Sequence, residues 1–174
     1  MTRYATEDAK KLSESLKTRG SELVQLKDNL VDSVWGDARP PRTKNPIFAL
    51  EEKYTGESHT SKLARLRQEL EKKEVHAIVL TALDEVAWFF NLRGSDIAYN
   101  PVFFAYAIIT LDSEALFIQK DSAPIPDLLQ SFGSDTEIHE YEEFWTHVAG
   151  LSEKLQGKVN GFALRCHRTM LMYL

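Results

Sequence analysis

The spacing of apolar residues between positions 59 and 165 most constrains the fold, because it changes repeatedly from helical periodicity to short continuous runs. Three leucines recur at helical spacing in His59–Glu74, which predicts an amphipathic helix capped by Ser58. The run Val75–Thr81 follows, and it has the length and apolar character of a strand covered on both faces. Helix and strand therefore alternate from the start of this region.

The same alternation predicts the remaining elements of the region. In chain order they are a helix over 82–90, strands over 104–111 and 114–119 joined by a two-residue turn at Asp112-Ser113, a helix over 125–132, a strand over 136–141, a helix over 142–155 and a strand over 159–165. The region thus combines a β-hairpin with strands that alternate with helices. This combination predicts an α/β fold in which a mixed β-sheet has helices on both faces.

The first 46 residues are predicted to lie outside that domain. A helix closing at Arg19-Gly20, a strand candidate at Leu23–Leu26 and two helical turns over Asn29–Trp35 cannot bury a core alone. The segment Gly36–Pro46 (GDARPPRTKNP) is rich in proline and charge and lacks periodicity, as linkers do. We therefore expect a looser unit at 1–35, a linker at 36–46, a compact domain at 47–165 and an unassigned tail at 166–174.

Composition excludes several classes of function. A net charge of −5 over 174 residues argues against a nucleic-acid partner and against binding to anionic lipid. The single cysteine, Cys166, excludes an intrachain disulfide framework and fits a reducing compartment. The first residues are charged where a signal peptide is apolar, and the longest apolar run, PVFFAYAII, is too short to span a membrane. We expect a cytoplasmic protein without membrane contact.

Known catalytic and metal-binding motifs are missing from the sequence. The five histidines have no metal-ligand spacing, so we interpret them as scattered surface or half-buried side chains and expect no metal site: His59, His76, His139, His147 and His167. Nucleophile-elbow, phosphate-loop and dinucleotide fingerprints do not occur. The paired acids, such as Asp84-Glu85, stand at predicted helix starts, where the helix dipole explains them. We therefore expect no catalytic residue in this chain.

One polar loop, NLRGSDIAYNP at 91–101, connects an apolar helix directly to the most apolar strand. It brings several hydrogen-bonding groups to one edge of the predicted sheet: Asn91, Arg93, Asp96, Tyr99 and Asn100. In one interpretation Arg93 pairs with Asp96 or with a helix end and the loop is structural. In the other, the loop faces a ligand or another domain.

The string TALDEVAWFFNLRGSDIAYNPVFFAYAI closely resembles the middle domain of the three-domain aminopeptidase P (Xaa-Pro aminopeptidase) family, as do KDNLVDSVWGDARPPRTKNPIFAL and YTGES. The resemblance implies a creatinase/prolidase N-terminal-type fold for 47–165 and the end of a first such domain for 1–35. It also implies that the intact enzyme removes an N-terminal residue preceding proline. The enzyme would do so in a C-terminal "pita-bread" domain holding two metal ions, usually manganese.

No part of the sequence resembles that catalytic domain, and the tail RCHRTMLMYL does not resemble the family. We therefore expect a non-catalytic portion of the enzyme, inactive by itself, whose partner is the catalytic domain of the parent protein, with a homodimer of the intact enzyme. The alternative is a stand-alone module for protein or peptide interaction. On the resemblance, the loop 91–101 faces the catalytic domain, with Arg93 best suited to hold a carboxylate or carbonyl.

Overall fold

The computed structural model describes residues 6–24, 26, 30–132 and 136–155. The chain divides into two compact units, Met1–Arg42 and Thr43–Leu174. This boundary lies inside the segment 36–46, and the last residues of that segment belong to the second unit. The strand predicted over 159–165 and the tail 166–174 lie outside the described residues.

The described residues of the first unit form two α-helices, α1 (Thr6–Lys17) and α2 (Leu30–Trp35), and a 3-10 turn at Gly36–Ala38. The chain turns after α1 at Gly20, whose φ of 70° is the left-handed conformation expected at a helix end. The strand predicted over Leu23–Leu26 was wrong, because the described residues of this segment have no regular structure. Their apolar side chains are exposed, and no neighbouring strand of the described residues pairs with them.

The strands described in the second unit are β1 (Phe48–Ala49), β2 (Ala77–Leu80), β3 (Leu92–Arg93), β4 (Tyr106–Thr110), β5 (Glu114–Ile118) and β6 (Thr136–Glu140). Four of them form a sheet with the order β2-β4-β5-β6. The other two, β1 and β3, pair in antiparallel register as a separate ribbon. The pairs β2–β4 and β4–β5 are antiparallel and β5–β6 is parallel, so the sheet is mixed as predicted.

The helices of the second unit are α3 (Glu52–Thr55), α4 (His59–Lys72), α5 (Leu83–Phe89), α6 (Ile125–Phe132) and α7 (Phe144–Leu155). The predicted elements from α4 to α7 are confirmed. Ser58 caps α4 by accepting a hydrogen bond from the Ser61 amide, as expected. No helix among the described residues is both long and apolar enough to cross a membrane.

Alternating side chains on the strands form two separate cores. On one face, Ile78 and Leu80 pack in the larger core with apolar residues of α4, α5 and α6. On the other face, Val79 joins a smaller core with Phe144 of α7. Helices therefore cover both faces of the sheet, which confirms the predicted fold class.

The hairpin between β4 and β5 forms, but its turn lies one residue earlier than predicted. The Thr110 amide donates to the Ser113 carbonyl at 2.8 Å, so Leu111 and Asp112 are the central residues of the turn. The Thr110 hydroxyl accepts hydrogen bonds from the amides of Asp112 and Ser113 and fixes this register. A side chain within the predicted strand thus decides where the chain turns.

Candidate functional site

The C-terminal end of α5 is bound by side chains from two other elements. The last carbonyl groups of a helix have no partner within the helix, and positive charge stabilises them. Here three of them each accept a hydrogen bond from a nitrogen-bearing side chain: Arg93 Nη1 donates to Ala87 O (3.0 Å), Lys62 Nζ to Trp88 O (2.7 Å) and His59 Nδ1 to Phe89 O (3.0 Å). This arrangement fixes the start of the polar loop that follows.

Lys62 is the most unusual of these donors, because its side chain is buried. Its ammonium donates to Asn91 Oδ1 at 2.5 Å and lies 4.3 Å from the centre of the Trp88 ring. The pKa of Lys62 is lowered from 10.5 to about 8. Burial is the main cause, Glu57 opposes it, and the positive charges of Arg93 and Arg65 add to the lowering. The helical pattern alone did not identify Lys62 as a buried residue.

Asn91 accepts this bond in a left-handed conformation, with φ at 54°. Its side-chain amide donates to the Glu57 carbonyl at 2.8 Å, and its own carbonyl accepts from the Leu50 amide at 2.8 Å. Asparagine tolerates this conformation better than most residues. Asn91, one of the predicted site residues, therefore joins the end of α5 to the segments before α4 and has a structural role.

A second buried polar cluster lies where α4 meets the sheet. His59 Nε2 lies 3.0 and 3.1 Å from the two carboxyl oxygens of Glu114, and the Thr136 hydroxyl donates to the same carboxyl group. Because the Phe89 carbonyl can only accept, His59 Nδ1 carries a proton, and one further proton lies between Nε2 and Glu114. Every nitrogen of the imidazole is thereby occupied.

The expectation that His59 lies at the surface or half-buried was wrong, since only 2% of it is exposed. The rings of Phe89, Phe90 and Phe132 surround it, with centroids 4.8–5.5 Å away. Sequence reasoning also missed Glu114. The available signal was a carboxylate at the head of the otherwise apolar strand EALFI, since a buried charge needs a partner.

The base of the polar loop is held by the Asp96 carboxylate. One oxygen accepts from the Asn45 amide at 3.2 Å and the other from the Phe104 amide at 2.9 Å. Gly94 lies against Phe103 so closely that a Cβ at Gly94 would meet the Phe103 Cβ at 2.7 Å. Asp96 and Gly94 therefore serve to hold the loop against the domain.

The tip of the loop, Ile97–Asn100, is exposed at all four residues. A bridge closes it, with the Asn100 amide donating to the Ile97 carbonyl at 3.1 Å. Tyr99 is fully exposed and has a φ of 63°, which is unusual for an aromatic residue. The five predicted site residues thus lie in different settings: Asn91 and Arg93 at the end of α5, Asp96 at the base, and Tyr99 and Asn100 at the tip.

Among the described residues of the second unit lie clefts that include one of about 240 Å³ and one of about 360 Å³. The smaller is lined by residues including Leu50, Ser58 and His59, and the larger lies between α7 and the sheet. In the part of the chain that the structure describes, no three His, Cys, Asp or Glu side chains form a group that could hold a metal ion. The pair Asp84-Glu85 lies in the first turn of α5, where burial and the neighbouring Asp84 raise the pKa of Glu85.

The mixed sheet covered by helices on both faces, with a braced polar loop after α5, defines an α/β domain. Residues 38–169 match the Creatinase/Prolidase N-terminal domain family, and the chain belongs to this family. The resemblance found in the sequence is thereby confirmed.

Similar proteins carry a consistent description. A probable Xaa-Pro aminopeptidase P from Laccaria bicolor is 50% identical over 155 residues, covering 89% of this chain and 24% of the relative. One from Coprinopsis cinerea is 48% identical over 150 residues, covering 86% and 24%. The crystal structure of the X-prolyl aminopeptidase from Caenorhabditis elegans, described as a cytosolic enzyme with a di-nuclear active site, superposes with a TM-score of 0.77 at 30% identity, covering 86% of this chain and 24% of that one. The chain therefore spans about a quarter of the length of these relatives.

Proposed function

We propose that this chain is a non-catalytic domain of a metal-dependent Xaa-Pro aminopeptidase, a hydrolase that removes an N-terminal residue preceding proline when intact. Its partner is the catalytic domain of the parent enzyme. The observation that carries the proposal is the match to relatives named for this activity, of which the chain spans only about a quarter. A cytoplasmic location and a homodimer of the intact enzyme are proposed with it, the location supported by the cytosolic enzyme from Caenorhabditis elegans.

The chemistry of the described side chains supports a non-catalytic role. The buried groups most suited to catalysis are already bound within the fold: His59 to Glu114, and Lys62 to Asn91 and to the end of α5. A general base or nucleophile needs a free lone pair facing a substrate. The His59 nitrogens are both occupied, and Lys62 serves as a hydrogen-bond donor.

The two manganese ions that the family resemblance implies do not fit the described residues. Manganese prefers several carboxylate and imidazole ligands around one ion. The buried pair His59–Glu114 supplies one of each, and both are committed to hydrogen bonds that also involve Thr136 and Phe89. We therefore assign the metal ligands to the catalytic domain.

We place the loop 91–101 at the boundary with that catalytic domain. In support, its base is braced by Asp96 while its tip is exposed. Arg93, bound to Ala87 and Leu92 carbonyls, acts either on the substrate side or through the end of α5. Replacing this arginine by alanine in a full-length relative that carries it separates the two roles. A changed KM at an unchanged Tm indicates the first, and a lower Tm at unchanged kinetics indicates the second.

The activity of the purified chain tests the proposal. We expect no release of the N-terminal residue from a peptide with proline at its second position, with or without added manganese. The Laccaria bicolor relative, assayed under the same conditions, is the control for substrate and metal. Manganese-dependent release by this chain that a chelator abolishes would show that it is catalytic.

A stand-alone interaction module is the second candidate, favoured by the exposed Ile97 and Tyr99. Reading the genomic sequence directly downstream distinguishes the two. An in-frame segment encoding a catalytic domain supports the first proposal, and a stop without one supports the module.

A further inference from the structure

The loop tip Ile97–Asn100 combines two properties that domain folding alone does not explain. Tyr99 is fully exposed, and Ile97 is 37% exposed, so the tip presents an aromatic and an aliphatic side chain to solvent. Tyr99 also holds a left-handed φ of 63°. A bulky residue in this conformation is strained, and such strain is concentrated at functional positions.

The residues on either side of the tip are attached to each other and to the domain by hydrogen bonds. The Asp96 amide donates to the Val102 carbonyl at 3.0 Å, and the Asn45 side chain donates to the Ser95 carbonyl at 2.7 Å. The Asp96 carboxylate adds bonds to two further amides. Little conformational entropy is therefore left for a partner to remove from the loop, which favours binding.

We propose that Tyr99 is the anchor by which this domain docks onto the catalytic domain. This inference rests on the proposed function and names the contact that the loop makes. The occupant follows from length, because about three quarters of each relative lies outside the region that this chain matches. Ile97, Ala98, Tyr99 and Asn100 carry no charge, so the complementary surface is an apolar pocket that accepts the tyrosine ring.

The full-length Laccaria bicolor relative provides the test. A photoreactive phenylalanine derivative is placed at the position that aligns with Tyr99. As a matched control, it is placed at the position that aligns with Trp145, another exposed aromatic residue, on α7. After irradiation, cross-linked peptides are identified by mass spectrometry. We expect the Tyr99 position to cross-link to the catalytic domain, C-terminal to the matched region. We expect no such cross-link from the Trp145 position.

Other cross-linking outcomes overturn the inference. Cross-links from the Tyr99 position only within the matched region, or none, show that the tip does not meet the catalytic domain. Cross-links to a second copy, recognised with isotope-labelled protein, assign the tip to self-association. These results leave the proposed function intact, because that function is tested separately by the activity of the chain.

A variant of this chain separates docking from folding. Tyr99→Asn removes the ring and suits the left-handed conformation, so the urea midpoint should be unchanged or raised. Tyr99→Phe keeps the ring and serves as the control. A clear drop in the midpoint for Tyr99→Asn alone would make the ring a structural part of this domain and would overturn its role as a docking anchor.

Discussion

Replacing Glu114 by alanine should remove a large part of the stability of the second unit, because this buried carboxylate accepts from two buried donors. It lies 3.0 and 3.1 Å from His59 Nε2 and accepts from the Thr136 hydroxyl. Breaking one partner of a buried ion pair costs about 3–5 kcal/mol, and a buried hydroxyl without a partner costs about 1–3 kcal/mol. The two losses overlap, so we expect about 4 kcal/mol, a quarter or more of the roughly 5–15 kcal/mol typical of a domain.

Urea denaturation followed by circular dichroism measures this loss. Glu114→Gln is the matched variant: its amide can donate to a neutral His59 while its carbonyl still accepts from Thr136, so it should cost less than half as much. Glu137→Ala is the exposed control, since this carboxylate also bonds a histidine, His139, at 3.0 Å but is 64% exposed. An exposed pair of this kind contributes about 0–1 kcal/mol.

The comparison of these variants can refute the reasoning. A loss for Glu114→Ala no larger than that for Glu137→Ala would show that the buried cluster does not stabilise the fold. Equal losses for Glu114→Ala and Glu114→Gln would show that the ionised pair, and not the hydrogen-bonding pattern, carries the stability.

Three further predictions concern other parts of the chain. The unfolded chain keeps the Lys62 proton up to its ordinary pKa of 10.5, while the folded chain releases it near 8. The free energy of unfolding should therefore rise between these pH values by up to about 3 kcal/mol. A pH series of urea titrations measures this rise, and Lys62→Met should lack it. Gly94→Ala should lower the free energy of unfolding by about 1–3 kcal/mol, because the added methyl group meets Phe103. Gly150→Ala has open space around it in α7 and should raise the free energy of unfolding by about 0.5–1 kcal/mol. Thermal unfolding that ranks the two variants in the opposite order would contradict this packing. Limited proteolysis should cut first within 36–46, and a first cut within β2 or β4 would contradict the division into units.

Helices and strands that are marked by the spacing of their own apolar residues were predictable from the sequence. In α4, Leu66 and Leu70 repeat at helical spacing and are fully buried, and in β2 all four residues of the run are buried. The predicted strand at Leu23–Leu26 failed because a strand depends on a neighbour, and apolar residues alone do not supply one. Helices and strands were therefore predictable where a regular spacing of buried apolar residues stabilises them.

Long-range polar contacts were not predictable. His59 and Glu114 are 55 residues apart, and Lys62 lies among charged residues that the helical pattern assigns to solvent. The short strand β3 inside the polar loop was missed for the same reason, since its partner β1 lies more than forty positions earlier. The loop at 91–101 was identified by its polarity, but which of its residues brace the fold and which are exposed depends on contacts with distant segments.

The capped end of α5 has a consequence for the order in which the molecule forms. A helix of seven residues does not persist alone in water. Arg93, which completes part of its last turn, is close in sequence, but the other two donors, Lys62 and His59, precede their acceptors by 26 and 30 residues. The last turn is therefore complete only after α4 has packed beside it. In native-state hydrogen exchange, amides near the end of α5 should exchange by cooperative opening of the unit, whereas an ordinary short helix exchanges by fraying.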